Sequence, residues 1–162
     1  RPARGGRGMN LWDWSLRAWR APGVEAACLD LQDAQGQNIP LLLWAAWTAA
    51  TGRALAADDI EAACDTARVW HETVVVPLRG VRRALKTRIP DLEDNDREAV
   101  RAQVQAVEID AERRLLAALE ALAPPSAGPA KPVLPALAAV SRAWSPVTPR
   151  SALTLLAERL PA

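Results

Sequence analysis

The chain has 162 residues, of which 50% are apolar and 24% are charged, a balance typical of helical globular proteins and far from that of disordered chains. Its formal net charge of +1 excludes a strong overall field that would draw the protein to nucleic acid or an anionic membrane, so any such attraction must be local. Only 4% of the residues are aromatic, and β-branched side chains cluster only around residues 74–76, which argues against a sheet.

The first nine residues are basic and precede the predicted fold. They lack the apolar segment that a signal peptide carries, and Met9 is the only methionine of the chain. We therefore expect residues 1–9 to be a non-native or disordered extension in front of a core domain that begins at Asn10.

Asn10 is predicted to cap the first helix, and Asp13 three residues later completes the capping box. At about 100° per residue, the apolar side chains of this helix, which include Trp12, Trp14 and Trp19, cover an arc of roughly 200°. Such an arc fits a helix wedged between two others, whereas a membrane-surface helix usually has a broad cationic face. We expect core packing over membrane or partner binding, with Trp14 the tryptophan that reaches the surface.

Two more helices are predicted before residue 53. The second covers about residues 22–35 and ends at Gly36, because glycine suits the left-handed conformation that follows many helices. The third is capped by Asn38, ends at Gly52 and is apolar nearly all round, which predicts the central helix of the core. Its apolar run of about twelve residues is shorter than the roughly 20 that a membrane span needs, so we expect no membrane-spanning helix.

The fourth predicted helix begins with an acidic capping arrangement at residues 58–61. Its inward-facing residues follow at alternating spacings of four and three: Ile60, Cys64, Ala67, His71, Val74, Leu78, Val81 and Leu85. Pro77 should kink or split this helix, because proline removes a backbone donor and crowds the preceding turn.

A fifth helix is predicted from the capping pair Asn95 and Glu98, with a length of about 40 Å. Its inward-facing residues are predicted to be Val100, Val104, Val107, Ala111, Leu115, Ala118 and Leu122. The acidic residues 91–98, which lead into it, follow directly on the basic end of the fourth helix.

The sequence as a whole predicts an all-α fold, with a compact bundle of about five helices over residues 10–122. Residues 123–135 are rich in proline and are predicted to form an extended linker. Residues 136–162 are predicted to form a C-terminal tail of one or two helices, which either docks on the core or stays free of it.

Four basic residues in the fourth helix share one helix face at spacings of three, four and seven: Arg79, Arg82, Arg83 and Lys86. Like charges at these spacings repel, which makes the face a candidate for binding an anion or an acidic partner. The alternative is neutralisation by the acidic residues 91–98, or simple solvation. A dedicated nucleic-acid binder usually has a more basic domain with surface aromatics or a recognisable motif.

Other reactive residues suggest no catalytic or metal site. Cys28 and Cys64 lie in apolar stretches, as small buried side chains do in a reducing compartment, although a single disulfide is an alternative. Cys64 and His71 are about 10 Å apart along a helix, too far to share a metal ion, so we expect His71 to be a hydrogen-bonded core residue. Glu108 and Glu112 share a helix face and are expected to be solvated.

The order of several short motifs resembles that of an uncharacterised proteobacterial family of small helical proteins, a domain of unknown function. The resemblance rests on Leu11-Trp12, Pro22-Gly23-Val24, Asn38 with its Leu-rich helix, and Pro77-Leu78-Arg79 with Leu85-Lys86 after it. It extends over about residues 10–121 and implies a bacterial, cytoplasmic, helical protein. No activity comes with it.

We therefore predict a non-enzymatic interaction or adaptor protein that holds an acidic protein surface on its basic face. The alternative is a nucleic-acid or phosphate-ligand binder that uses the same face. An enzyme built around His71 and Cys64 is a third hypothesis, but no phosphate-binding loop or nucleophile motif supports it. No cofactor, metal ion or membrane contact is expected, and the oligomeric state is open.

Overall fold

The computed structural model describes residues 8–161, and within them the chain is helical and contains no strand. Residues 1–7 of the predicted N-terminal extension lie outside the described residues. The all-α class is confirmed. The elements are α1 (Leu11–Trp19), α2 (Val24–Asp33), α3 (Ile39–Ala50), α4 (Ala57–Trp70), a π-helical turn (His71–Val75), α5 (Val76–Ala84), α6 (Asp94–Leu122), α7 (Val133–Trp144) and α8 (Arg150–Arg159).

The predicted number of helices is close to the observed one but not exact. The fourth predicted helix is two α-helices, α4 and α5, joined without a break by the π-helical turn. Two helices, α7 and α8, follow the proline-rich segment. No helix within residues 8–161 combines the length and apolar character needed to cross a bilayer.

Helix α3 lies at the centre of the bundle. Asn38 caps it, as predicted, because its side chain accepts a hydrogen bond from the Leu41 amide. Ten of its 12 residues are buried, and Trp44 and Trp47 are 0% and 1% exposed. Helices α1, α2, α4, α6 and α7 all pack against it. A helix that is apolar all round requires this enclosure.

Helix α1 packs in the core as predicted, but its most buried tryptophan is not the expected one. Trp14 is 9% exposed and belongs to the core, whereas Trp12 and Trp19 are partly buried at its edge. The prediction that Trp14 reaches the surface is wrong. The buried positions of α1 are 11, 14, 15 and 18, so the centre of the buried face lies between Trp14 and Ser15. Trp12 and Trp19 lie to one side of this face.

Helices α7 and α8 complete the same core. Four of their apolar side chains have no exposed surface: Leu137, Val140, Leu153 and Leu156. The proline-rich segment that leads to them runs along the end of α3, where the Lys131 amide donates to the Ala49 carbonyl over 2.8 Å. Because α7 begins at Val133, Pro135 lies in the first turn of the helix and not in the linker. Proline is tolerated there, because the N–H groups of the first turn form no hydrogen bond within the helix.

Helix α6 differs from its prediction at its start and along its first half. It begins at Asp94, with Glu93 at the N-cap and no side-chain cap, so Asn95 is not the capping residue. Val100 and Val107, predicted to face inward, are 48% and 51% exposed. The buried residues of α6 begin at Ala111, because its first half extends beyond the bundle.

We call residues 76–110 the arm; it consists of α5, the connecting loop and the first half of α6. No residue of the arm is buried.

We expect Leu137→Ala to lower the free energy of unfolding by about 2–5 kcal/mol, because it empties a fully buried site in α7. The matched control is Leu155→Ala in α8, where the side chain is 40% exposed and the expected loss is below about 1 kcal/mol. Urea denaturation of both variants measures the difference. Equally small losses would mean that the C-terminal helices do not share the core.

Gly52→Ala is expected to destabilise the protein by more than Gly36→Ala. Both glycines have positive φ angles, 68° and 63°, which cost an alanine about 1–2 kcal/mol. At Gly52 an added Cβ would also lie 2.0 Å from the Gly128 carbonyl oxygen, whereas Gly36 has open space. Urea midpoints that fall equally for the two variants would contradict the close contact between α3 and the proline-rich segment.

Candidate functional site

The π-helical turn decides which side chains of α5 face the bundle. It contains one residue more than a turn of α-helix would, so it rotates α5 by about 100° relative to the predicted register. Val76 follows this turn, and its amide donates to the His71 carbonyl; Pro77 comes next, as the second residue of α5. The helix continues past Pro77 without a break, so the predicted split does not occur, and the register of α5 is shifted.

The shift places arginines where the sequence predicted an apolar stripe. Arg79 and Arg82 face a cleft between α2, α5 and α6, whereas Val81, predicted to face inward, is 48% exposed. In the cleft, the Arg79 guanidinium donates to Gln32 Oε1 on α2 over 2.9 Å. Arg82 Nε lies 2.6 Å from Glu108 Oε2 on α6. The first contact joins the base of the arm to α2, and the second joins the two helices of the arm to each other.

The predicted basic face is consequently divided. Arg79 and Arg82 are half-buried in the cleft, Arg83 is exposed on the outer side of α5, and Lys86 is exposed in the turn that follows α5. The acidic residues 91–98 do not neutralise the face. Within residues 8–161, the ion pairs of that segment are formed with α6 itself, between Arg97 and Asp94 and between Glu98 and both Arg97 and Arg101.

The cleft contains a cavity of about 200 Å³. Charged and amide side chains line one part of it, and apolar side chains line the other. The lining residues are Trp19, Leu29, Gln32, Arg79, Arg82, Gln105, Glu108, Ile109 and Glu112. A second cavity of about 20 Å³, enough for roughly one water molecule, adjoins it and shares Gln32, Arg79 and Glu112 with it.

Glu112 is the least compensated charge in the cleft. Burial raises the pKa of its carboxyl group above the ordinary value of 4.5, and the neighbouring Glu108 adds to that effect, while Arg79 opposes it. Within residues 8–161 the Glu112 carboxylate has no hydrogen-bond partner or ion pair. The expectation that Glu108 and Glu112 are solvated is wrong, because the cleft encloses the face of α6 that they share.

His71 and the two cysteines do not form a site together. His71 is half-buried and packs edge-on against Trp144, with ring centroids 6.0 Å apart, and has no hydrogen bond within residues 8–161; it is not the predicted hydrogen-bonded core residue. Burial, the largest effect, and the nearby Arg79 lower its pKa. Burial raises the pKa of Cys28 to about 12 and also raises the pKa of Cys64, so both thiols are protonated at neutral pH.

No group of three or more histidine, cysteine, aspartate or glutamate side chains within residues 8–161 is arranged to hold a metal ion. The polar residues that the sequence analysis missed are Gln32 and Gln105, which no motif distinguishes. Their role in the cleft follows from the packing of α2 and α6 against a rotated α5.

Comparison with known proteins identifies a family but no function. A family model described as "Protein of unknown function (DUF2390)" matches residues 10–119, which include α1 to α5 and most of α6. No curated protein and no solved structure matches the chain. The resemblance to an uncharacterised domain family, noted from the order of the motifs, is confirmed.

Glu112→Gln is expected to gain stability relative to the wild type as pH rises. The folded state raises the pKa of Glu112, so it holds the proton more tightly than the unfolded chain does, and ionisation above pH 4.5 costs stability. Glutamine cannot ionise, so the difference in unfolding free energy should grow in the variant's favour as pH rises above about 4.5 and should level off once Glu112 has ionised in the folded state.

Chemical denaturation at several pH values tests this expectation. Glu25→Gln, the same change at an exposed position on α2, controls for the loss of one negative charge. A difference between Glu112→Gln and the wild type that stays constant with pH would contradict the burial of Glu112.

Proposed function

We propose that this chain, which belongs to the DUF2390 family of proteins of unknown function, is a non-enzymatic interaction protein that holds an acidic protein partner on its arm. The observation that carries the proposal is the exposure of apolar side chains along an arm that has no buried residue. The predicted basic face contributes its two exposed members, Arg83 and Lys86.

About half of the large apolar side chains that are exposed within residues 8–161 belong to the arm. The six in the arm are between 48% and 57% exposed: Val76, Val81, Leu92, Val100, Val107 and Ile109. Exposed apolar side chains concentrated in one part of a protein often mark a site of protein interaction. Val100 and Val107 are seven residues apart, so they lie nearly in line along α6 and would contact the same element of a partner.

The charges of the arm define the chemistry of the partner. Arg83 and Lys86 are exposed and form no ion pair within residues 8–161, and Val81 is exposed on another face of α5. A partner surface with apolar groups at its centre and carboxylates at its rim would complement this arrangement. The cations would act mainly on partner choice and on the association rate, while the apolar contacts would supply most of the affinity.

Nucleic-acid or phosphate binding through the same face is the alternative, and the geometry favours it less. Arg79 and Arg82 are half-buried in the cleft, which leaves two of the four predicted cations on the outer surface to meet a nucleic-acid backbone. The proposed location is the cytoplasm, and the free state of Cys28 and Cys64 supports it.

The test is capture of partners by the tagged protein from a lysate of its own host, with and without nuclease. Arg83→Glu/Lys86→Glu should retain about tenfold less of a stoichiometric protein partner, because two attractive charges become repulsive. The matched control, Arg17→Glu/Arg20→Glu, reverses two exposed charges on α1 and should retain it. Circular dichroism checks that both variants fold.

Each outcome decides between the hypotheses. A partner that survives nuclease and is lost only from the arm variant supports the proposal. Material that disappears with nuclease, and whose binding falls steeply with salt, supports the nucleic-acid alternative, because phosphate contacts release counterions. An identical set of captured proteins from all three forms would overturn the arm as the binding surface.

A further inference from the structure

We infer that the cleft between α2, α5 and α6 binds a small zwitterion of the α-amino acid class. The inference does not depend on the arm's proposed partner, because the cleft lies at the base of the arm and shares only Ile109 with the apolar side chains proposed to meet that partner. It rests on the unused donors of Arg79, the unpartnered carboxylate of Glu112 and the size and lining of the cavity between them.

Arg79 retains most of its capacity to bind a carboxylate. A guanidinium group has five N–H donors, and within residues 8–161 that of Arg79 makes one hydrogen bond, to Gln32. The bond to Gln32 fixes the side chain toward the cavity, and the remaining donors suit the two oxygens of a ligand carboxylate. Arg82 lies beside it and is held in place by Glu108.

Glu112 supplies the complementary charge. It lines the same cavity as Arg79 and is close enough for the two charges to affect each other. An ammonium group placed beside its carboxylate would provide the hydrogen-bond donors that the protein does not. Gln105, one of the two glutamines in the cavity wall, adds an amide that can donate or accept.

A ligand with a single charge fits the cleft less well than a zwitterion. An anion would lie near the carboxylates of Glu108 and Glu112, and a cation would lie near two guanidinium groups. A molecule that carries both charges a few bonds apart meets an opposite charge at each end. The two arginines and two glutamates balance each other, so a ligand without net charge keeps the cleft neutral.

The cavity limits the ligand to the size of an amino acid. Its volume of about 200 Å³ is smaller than the roughly 300–1,000 Å³ of sites that hold drug-sized molecules. Trp19, Leu29 and Ile109 line its apolar part and would contact the ligand's side chain. The π-helical turn that brings Arg79 into the cleft is of a type frequently found at functional sites.

The test is NMR titration of the ¹⁵N-labelled protein with L-alanine, L-leucine and L-glutamine as probes. The indole N–H signal of Trp19, assigned from the Trp19→Phe variant, reports on the cavity. We expect at least one probe to give a saturable shift with a dissociation constant on the order of 1 mM. Two analogues of leucine, leucinamide without the carboxylate and 4-methylpentanoate without the ammonium group, should bind at least about tenfold more weakly.

Variants separate binding in the cleft from binding elsewhere. Arg79→Gln and Glu112→Gln should each weaken binding at least about tenfold, whereas Arg88→Gln, at an exposed position after the same helix, should leave it unchanged. Thermal unfolding confirms that the variants fold. No saturable shift with any probe at concentrations up to about 20 mM, or equal binding by all variants, would overturn the inference and leave the cleft as a structural charge network.

Discussion

The enclosure of α3 is the constraint on which the rest of the structure depends. This helix is apolar on every side. Burial of its two tryptophans alone removes about 150–250 Å² of side-chain surface from water for each of them. Each neighbouring helix therefore presents an apolar stripe to it, and α7 completes the enclosure after a proline-rich segment that bonds to the end of α3. The C-terminal helices belong to the core for this reason, although the family match ends at residue 119.

The length of α3 also explains why the arm exists. It has 12 residues and is about 18 Å long, whereas α6 has 29 residues and is about 43 Å long. A helix can bury its apolar stripe only where another element faces it, so α6 has buried residues from Ala111 onward and none before. The first half of α6 has α5 as its main neighbour, and the apolar side chains of both are left exposed.

The π-helical turn connects the two parts of the molecule and sets the chemistry at their junction. One extra residue before Pro77 turns Arg79 and Arg82 inward, where they meet Gln32 and Glu108. The junction is therefore polar, in a protein whose core is mostly alanine and leucine. Half-buried charges cost desolvation free energy, so a polar junction is less stabilising than an apolar one of the same shape would be.

The sequence alone determined the helical class, the caps Asn10 and Asn38, the glycines that end α2 and α3, and the central place of α3, because these depend on local hydrogen bonds and on the apolar content of single segments. Tertiary structure decided the burial of Trp14, the exposure of Val100 and Val107, and the pairing of Arg82 with Glu108. Periodicity tells which residues share a helix face, but the direction in which that face points depends on neighbours distant in sequence. At α5 a single extra residue in the π-helical turn was enough to expose Val81 and to bring Arg79 and Arg82 inward, and Pro77 indicates a disturbance of the helix there without indicating its form.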